Sequence, residues 1–530
     1  MQLTELIDDL AAQPGQQLRF IGLDGKLLVR TFGQLHADVL ELMAELRSSG
    51  LAEGDLVGLL AANCYDWMVA DLALLGLRCV SVALPVEAAA GGAAPVDAGE
   101  LLQRYELSAL LVGRTVRLAG ADPAVAVLGE RPVRLTPRAV RHDRVLDPDV
   151  FTVAFSSGTA GIRKGLLLTR AGIVNTIETS AAAWRIGPDD DILIVMPFSS
   201  FQQRYLFYTA IRYGCRASVV APERMFGKLK ALEPTIVLGP PSFFEIVDTR
   251  IRAAGRRDRL PYYAAAALHA LAPGLSRGLR ARLGRRWLSM YGSRIRLMLT
   301  GSAPVSPRLV TVFHQLGAPL YEVYGSTEVG WIAFNLPGHN RIGTAGRPVE
   351  GVTVTLTDDD GEVVVRSRQP QSIGYVFDGV ETEPSVFLPG GRIATGDLGR
   401  WDHGHLALVG RNKNVLITRS GVKISPEQLE RDIERSCAVT KAVVVTAGGA
   451  STLSCAIWLD DWQDARRTGE IEAHIERANA KRPASHRIVR VVFRPAGELS
   501  PESGLLTRNL KVDREAVLRT VFPADAEAVR

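Results

Sequence analysis

A chain of 530 residues exceeds the length over which one hydrophobic core keeps growing, so two or more domains are expected. With 47% hydrophobic and 22% charged residues, it is neither disordered nor fibrous. The formal charge is only +5, and the five cysteines (Cys64, Cys79, Cys215, Cys437 and Cys455) stand far apart without a CxxC pair, which argues against a disulfide framework or a zinc site.

From the N-terminus, the opening MQLTELIDDLAAQPG carries acids where a secretory signal would carry basic residues and an apolar core. No apolar run reaches the ~18 residues of a membrane span, because LVGLLAANCYDWMVADLALLGL is broken by Asn63, Asp66 and Asp71. A cytoplasmic, reducing location is the expectation. EAAAGGAAPVDAGE, residues 87–100, reads as a low-complexity surface loop. The short runs FTVAF, DILIVM, PTIVLG and IRLMLTG end in small or turn residues and alternate with longer amphipathic stretches, the pattern of an α/β fold with buried strands.

FTVAF runs straight into SSGTAGIRKG. Glycines let backbone N–H groups close around an anion, Ser156, Ser157 and Thr159 add neutral donors, and Lys164 adds a point charge, so phosphate is the expected guest. The spacing from Gly158 to Lys164 matches a P-loop. Arg163 nevertheless stands where that loop needs glycine, and Gly165 where it needs a hydroxyl for Mg2+, so the P-loop reading fails. Further on, residues 250–296 hold twelve arginines against one acid, Asp258. No nucleic-acid motif accompanies them, so they read as a solvated helical face with at most peripheral membrane contact and no nucleic acid partner.

After ATGDLGRWDHGHLALVGRNKN the texture changes. SPEQLERDIERS (425–436) opens with Ser425, has Pro426 in the first turn and Gln428 three residues after the serine, a predicted capping box. KAVVVTAG, LSCAIWL and RIVRVVF then read as strands, with a helix near 464–482 between the last two, enough for a small α+β domain. The expected division is a large domain over 1–409, a hinge at 410–414 marked by a glycine and polar residues, and a small domain over 415–530.

Taken in order, SSGTAGIRKG, GSAP (301–304), YEVYGSTEVG (321–330), GTAGRPVEGV (343–352), GEVVVRS (361–367), ATGDLG (394–399), GRNKNVLITRSGVKISPEQLE (410–430) and GLLTRNLKVDR (504–514) resemble the adenylate-forming superfamily over nearly the whole chain. Within it, MPFSSFQQRYLFY (196–208), GPPSFFEIVDTRI (239–251) and the leucine before the lysine of NLKVDR are similar to the long-chain acyl-CoA synthetase branch. The resemblance implies an α/β fold with a large multi-sheet N-terminal domain and a small mobile α+β C-terminal domain. It also implies a ligase that uses ATP and Mg2+: a carboxylate attacks the α-phosphorus of ATP to give an acyl-adenylate and pyrophosphate, and a thiol then takes the acyl group and releases AMP.

Residue by residue, the resemblance assigns Ser156, Ser157, Gly158, Thr159 and Lys164 to the β- and γ-phosphates. Tyr324 would stack on adenine, with Glu322 and Gly325 among the nucleotide contacts, and Thr327 would donate to the α-phosphate. Glu328 would bind Mg2+, an oxygen-ligand role suited to a hard cation. Asp397 would accept from both ribose hydroxyls, and Arg411 would approach the ribose and phosphate. Lys511 is the expected catalytic residue beside Thr327, a compact cation that bridges the attacking carboxylate and the α-phosphate. Lys413 takes the hinge position, Gly421 would line the thiol tunnel, and Ser200 and Gly301 fall at the acyl and thiol pocket.

Peptide-synthetase adenylation domains carry an aspartate in the stretch matching PFSSF, where it pairs with the ammonium of an amino acid. None is present here, so a small-molecule carboxylic acid without that ammonium, fatty or related, is expected. Phe198, Phe201, Phe243 and Phe244 are apolar candidates for its pocket. The acceptor is coenzyme A or, in the alternative reading, the phosphopantetheine of an acyl carrier protein in secondary metabolism. Departures from the family pattern at Arg163, Arg170, Ser200, Asn414 and Arg508 point to a specialised acid. A non-catalytic nucleotide-binding protein would have no need to keep Lys511, Glu328 and Asp397 together.

Overall fold

The computed structural model describes residues 2–21, 25–85, 95–140, 146–155, 165–201, 203–221, 225–274, 276–377, 385–417, 423–437, 439–446, 453–500, 503–506 and 512–523. The expected strands form where the β-branched runs lie, at Val150–Phe155, Asp191–Ile194, Ile236–Gly239 and Leu297–Thr300. Each is buried along its whole length, the signature of strands covered on both faces.

Two large sheets organise the first 376 residues. The seven-stranded sheet runs Ser372–Val376, Gly165–Thr169, Val150–Phe155, Val80–Leu84, Leu56–Leu60, Ala109–Val112, Val125–Val127. The nine-stranded sheet runs from Arg347–Pro348 through Gly330–Phe334, Leu320–Ser326, Leu297–Thr300, Ile236–Gly239, Asp191–Ile194, Arg216–Val219 and Gln17–Ile21 to Leu27–Thr31. The central pairings of both are parallel; both edges of the nine-stranded sheet are antiparallel, whereas the seven-stranded sheet is antiparallel at its Ser372–Val376 edge and parallel through to Val125–Val127. Both sheets contribute to one apolar cluster that also takes in the helices Tyr65–Gly76, Arg170–Trp184 and Arg204–Arg212.

Inside that layer sits a charge. Arg204 is fully buried and donates to both oxygens of Asp71, to Thr152 Oγ1 at 2.9 Å and to Ser81 Oγ at 3.0 Å, with its guanidinium 5.0 Å from the Trp67 ring. The Tyr208 hydroxyl closes the set on Asp71 at 2.6 Å. A lone ion would not be tolerated at this depth, and here every nitrogen of the fork finds an acceptor.

A smaller five-stranded sheet includes Val352–Leu356, Glu362–Ser367, Arg392–Asp402 and His405–Arg411. The elements after residue 415 build hydrophobic clusters of their own. These sit on a three-stranded sheet of Lys441–Val445, Leu453–Leu459 and Ile488–Pro495, flanked by the helices Pro426–Cys437, Ala465–Asn479 and Arg514–Val521.

Two local expectations are corrected. The loop at 87–100 ends early: Asp97 accepts from the Glu100 N–H at 3.1 Å and caps a helix that starts at Ala98, while residues 86–94 lie outside the described residues. The helix after Ser425 forms, but its capping box does not. The Ser425 hydroxyl points instead to the Val409 carbonyl, to which it donates at 2.8 Å, with Glu427 Oε2 3.1 Å away, so the side chain is turned toward another segment and makes no bond to the Gln428 N–H. Gly410 and Arg411 remain strand residues paired with Leu398 and Asp397, and the turn itself is Asn412–Asn414. Cys64, Cys79, Cys215 and Cys455 are free thiols, and among the described residues no helix is long and apolar enough to cross a membrane.

Candidate active site

The strand Leu320–Ser326 ends in a tight turn that returns as Gly330–Phe334, with a register shift between Tyr324 and Gly325. A side chain at Gly325 would place its Cβ 2.5 Å from the Gly330 carbonyl oxygen, so the turn closes only over glycine. Thr327 and Glu328 sit on this turn. Their backbone is held from the neighbouring segment: Gln371 Nε2 donates to the Thr327 carbonyl at 3.2 Å, and the Ser372 N–H to that of Glu328 at 3.0 Å. The Tyr375 hydroxyl reaches Glu328 Oε1 at 3.1 Å. Gln371 is itself fixed by Thr176 at 3.1 Å. The strand Ser372–Val376 pairs with Gly165–Thr169, so the far side of the glycine-rich loop and the Thr327–Glu328 turn share one support.

Tyr324, Asp397 and Arg411 come together from segments far apart in the chain. The Tyr324 hydroxyl donates to Asp397 Oδ2 at 2.6 Å, and Arg411 Nε to Oδ1 at 2.8 Å. Strand pairing of Asp397 with Arg411 sets the second contact, and Thr395 Oγ1 accepts from the Asp397 N–H. A carboxylate has about four acceptor positions, so two remain for hydroxyl donors such as those of a ribose. Burial and the adjacent Asp397 charge raise the Tyr324 phenol well above its usual range, which keeps it a neutral donor. Asp397 in turn holds Arg411 more firmly protonated, against the cost of burial.

Glu322 lies two residues before Tyr324 on the same strand but outside this hydrogen-bonded set. Burial pushes its carboxyl up to about 8, opposed by the positive charge of Arg431. Arg431 projects from the helix Pro426–Cys437 and donates to the carbonyls of Leu408 at 3.0 Å and Val409 at 2.8 Å. Nearby, the Asn414 amide reaches Glu427 at 2.7 Å. Lys413 lies in the Asn412–Asn414 turn. Gly301 follows the strand Leu297–Thr300, where a Cβ would meet the Val323 carbonyl oxygen at 2.5 Å.

Ser156, Ser157, Gly158, Thr159, Lys164, Gly421 and Lys511 lie outside the described residues, as does the side chain of Ser200, whose backbone ends the short turn Phe198–Ser200. The anchor of the Lys511 segment is described: Arg514 donates to the Val444 carbonyl and Glu430. The four phenylalanines expected at a pocket divide between two core clusters, Phe198 and Phe201 in one, Phe243 and Phe244 in the other, all under 5% exposed. Gln371, Tyr375 and Thr176 were not legible as site residues, because polar side chains in QSIGYVF and in a helix interior carry no motif. Only the contacts of Gln371 and Tyr375 with the Thr327–Glu328 turn, and of Thr176 with Gln371, give them away.

The donor set fits a hard cation. Glu328 offers carboxylate oxygen, and Mg2+ is commonly bound by one or two carboxylates together with substrate phosphates and water.

The chain matches the family described as AMP-binding enzyme over residues 11–376. It is 26% identical to the long-chain-fatty-acid–CoA ligase FadD15 of Mycobacterium bovis, over 91% of this chain and 89% of that protein. It is 28% identical to the human long-chain-fatty-acid–CoA ligase 1, over 56% of this chain and 46% of that one. Among solved structures, the anthranilate CoA ligase AuaEII in complex with anthranoyl-AMP superposes with a TM-score of 0.73 at 18% identity, covering 100% of this chain and 98% of that one. The amide bond synthetase McbA from Marinactinospora thermotolerans gives 0.71 at 20% identity, covering 98% and 99%.

Proposed function

Because the chain belongs to the family of AMP-binding enzymes, we propose that it is an ATP-dependent ligase that activates a fatty or related carboxylic acid and passes it to coenzyme A. The observation that carries this reading is the bonded set of Tyr324, Asp397 and Arg411 beside the Thr327–Glu328 turn. It offers a ring, spare carboxylate acceptors and a cation in one place, the needs of a ribonucleotide.

A carboxylate is a poor acyl donor, because oxide is a hopeless leaving group and the anion repels nucleophiles. Attack of its oxygen on the α-phosphorus expels pyrophosphate and leaves an acyl-adenylate. A thiolate then attacks the acyl carbon and expels AMP. Both reactants of the first step are anions, so this chain's work is mostly to neutralise charge and align groups. Mg2+, when bound, supplies Lewis-acid neutralisation of the phosphates, and Glu328 is the residue that would hold it. Asp397 orients the ribose, Arg411 approaches the phosphate side, and Thr327 faces the α-phosphate. Lys511 is assigned the charge that builds between carboxylate and phosphorus, delivered by the unit that Arg514 anchors.

The test is exchange of labelled pyrophosphate into ATP over a panel of fatty, aromatic and hydroxy acids, followed by mass detection of thioester with coenzyme A or with a carrier protein. Exchange with at least one non-amino acid is expected, and exchange with none sinks the reading. Lys511→Ala should abolish adenylate formation while leaving thioester formation from pre-made acyl-adenylate largely intact; equal loss of both half-reactions contradicts the assigned role.

A further inference from the structure

The helix Leu260–Leu271, LPYYAAAALHAL, contains no Asp, Glu, Lys or Arg. A helix apolar on every side is ordinarily buried all round or set against hydrocarbon. Here only one face is covered: Tyr262 donates to Gln315 at 2.7 Å and Ala265 lies in the core. The other face stands in solvent, with Leu260 62%, Tyr263 53% and Leu271 83% exposed, and Ala264 and Ala267 exposed between them.

The next helix, Arg277–Leu288, packs beside it as a hairpin, tied at the base by Arg286 to Asp258 at 2.6 Å. Leu279 in its first turn is also exposed, and Arg282 and Arg286 follow three and seven residues later on the same face. Some of the segment's arginines are spent inside the fold. Arg280 is buried and caps the carbonyls of Pro273 and His314, Arg259 those of Ala254 and Arg252, and Arg296 holds Asp190. Arg256, Arg257, Arg277, Arg282 and Arg285 are exposed and form no ion pair among the described residues.

We propose that this hairpin is a peripheral docking surface for anionic phospholipid bilayers. Leu260, Tyr263 and Leu271 enter the interface, and the exposed arginines hold lipid phosphates in their planar forks. The apolar face decides between a bilayer and an acidic protein. Charge alone would satisfy an acidic protein, and it would leave three large apolar side chains in water. Protruding leucines spaced by alanines match a fluid interface, which closes around whatever shape enters it.

The test is sedimentation of the purified full chain with vesicles of phosphatidylcholine alone and of equimolar phosphatidylcholine and phosphatidylglycerol. Binding is expected only to the second, weakening as salt rises. The double variant Leu260→Asp, Leu271→Asp should melt at the wild-type temperature, since both side chains are exposed, and bind these vesicles at least tenfold more weakly. Arg282→Gln with Arg285→Gln should weaken binding about fivefold for each charge removed. Failure of the wild-type chain to bind anionic vesicles overturns the proposal, as does binding indifferent to both pairs of substitutions. Arginine-dependent capture of an acidic carrier protein by a chain that ignores vesicles would assign the surface to a protein and overturn it too. Binding is read without turnover, so a failed ligase assay leaves this result standing.

Discussion

Asp397 carries the densest local accounting in the site. Replacing it with alanine leaves the Tyr324 hydroxyl and Arg411 Nε without their acceptor. Removing one partner of a fully buried pair costs more, but Arg411 is 46% exposed, so solvent recovers part of the loss. The expected cost is about 2 kcal/mol in a denaturant melt, together with roughly a hundredfold loss of pyrophosphate exchange. Tyr324→Phe removes one hydrogen bond and should cost about 1 kcal/mol. Glu322 predicts a pH dependence. Its folded pKa of about 8 lies above the ordinary 4.5, so the fold binds the proton more tightly than the unfolded chain does between those values. Stability should therefore fall as pH rises from about 4.5 to about 8 and level off above. Glu322→Gln should flatten that slope and gain on the order of 2 kcal/mol near pH 9, read from melting temperature across pH without nucleotide.

At the scale of elements, the turn after Ser326 depends on two supports that differ in legibility. Gly325 sits in the YEVYGSTEVG motif, whereas Gln371 stands just before the strand Ser372–Val376 in a stretch with no motif at all. Gly325→Ala drives a methyl group toward the Gly330 oxygen and should open the turn, costing about 2 kcal/mol and weakening nucleotide binding. Gln371→Leu removes the donor to the Thr327 carbonyl and the acceptor of Thr176. It should lower the exchange rate about tenfold while nucleotide affinity changes less, because the residue orients Thr327 without belonging to the nucleotide contacts. Equal changes in rate and affinity would make the Gln371 contact a packing feature only. The strands themselves were readable, since runs such as FTVAF have to be buried. The cap at Ser425 was misread because a local hydroxyl pattern says nothing of a carbonyl from another segment toward which the side chain turns.

For the whole molecule, two arginines hold larger parts together. Arg204 ties its own helix to Asp71 and to the seven-stranded sheet at Thr152 and Ser81. Arg204→Met should cost about 3–5 kcal/mol, because it strands the Asp71 carboxylate in the core, and Asp71→Asn should recover part of that loss in the double variant. Arg431 and Ser425 fasten the C-terminal elements onto the carbonyls of Leu408 and Val409. Arg431→Ala should raise hydrogen exchange at residues 408–414 and leave exchange in the two large sheets unchanged. The uneven charge also acts at this scale, since it becomes a candidate surface only once an apolar helix is folded beside it.

By itself the sequence determined where the buried strands lie and which residues are proposed to meet phosphate, ribose and metal, because hydrophobic runs and donor chemistry are local properties of the chain. Tertiary structure alone decided which polar side chains support those residues, where Ser425 spends its hydroxyl, and which face of an all-apolar helix stays in water. Each of those outcomes depends on what another segment brings into contact, and no local pattern encodes a partner that lies 16, 44 or 195 residues away.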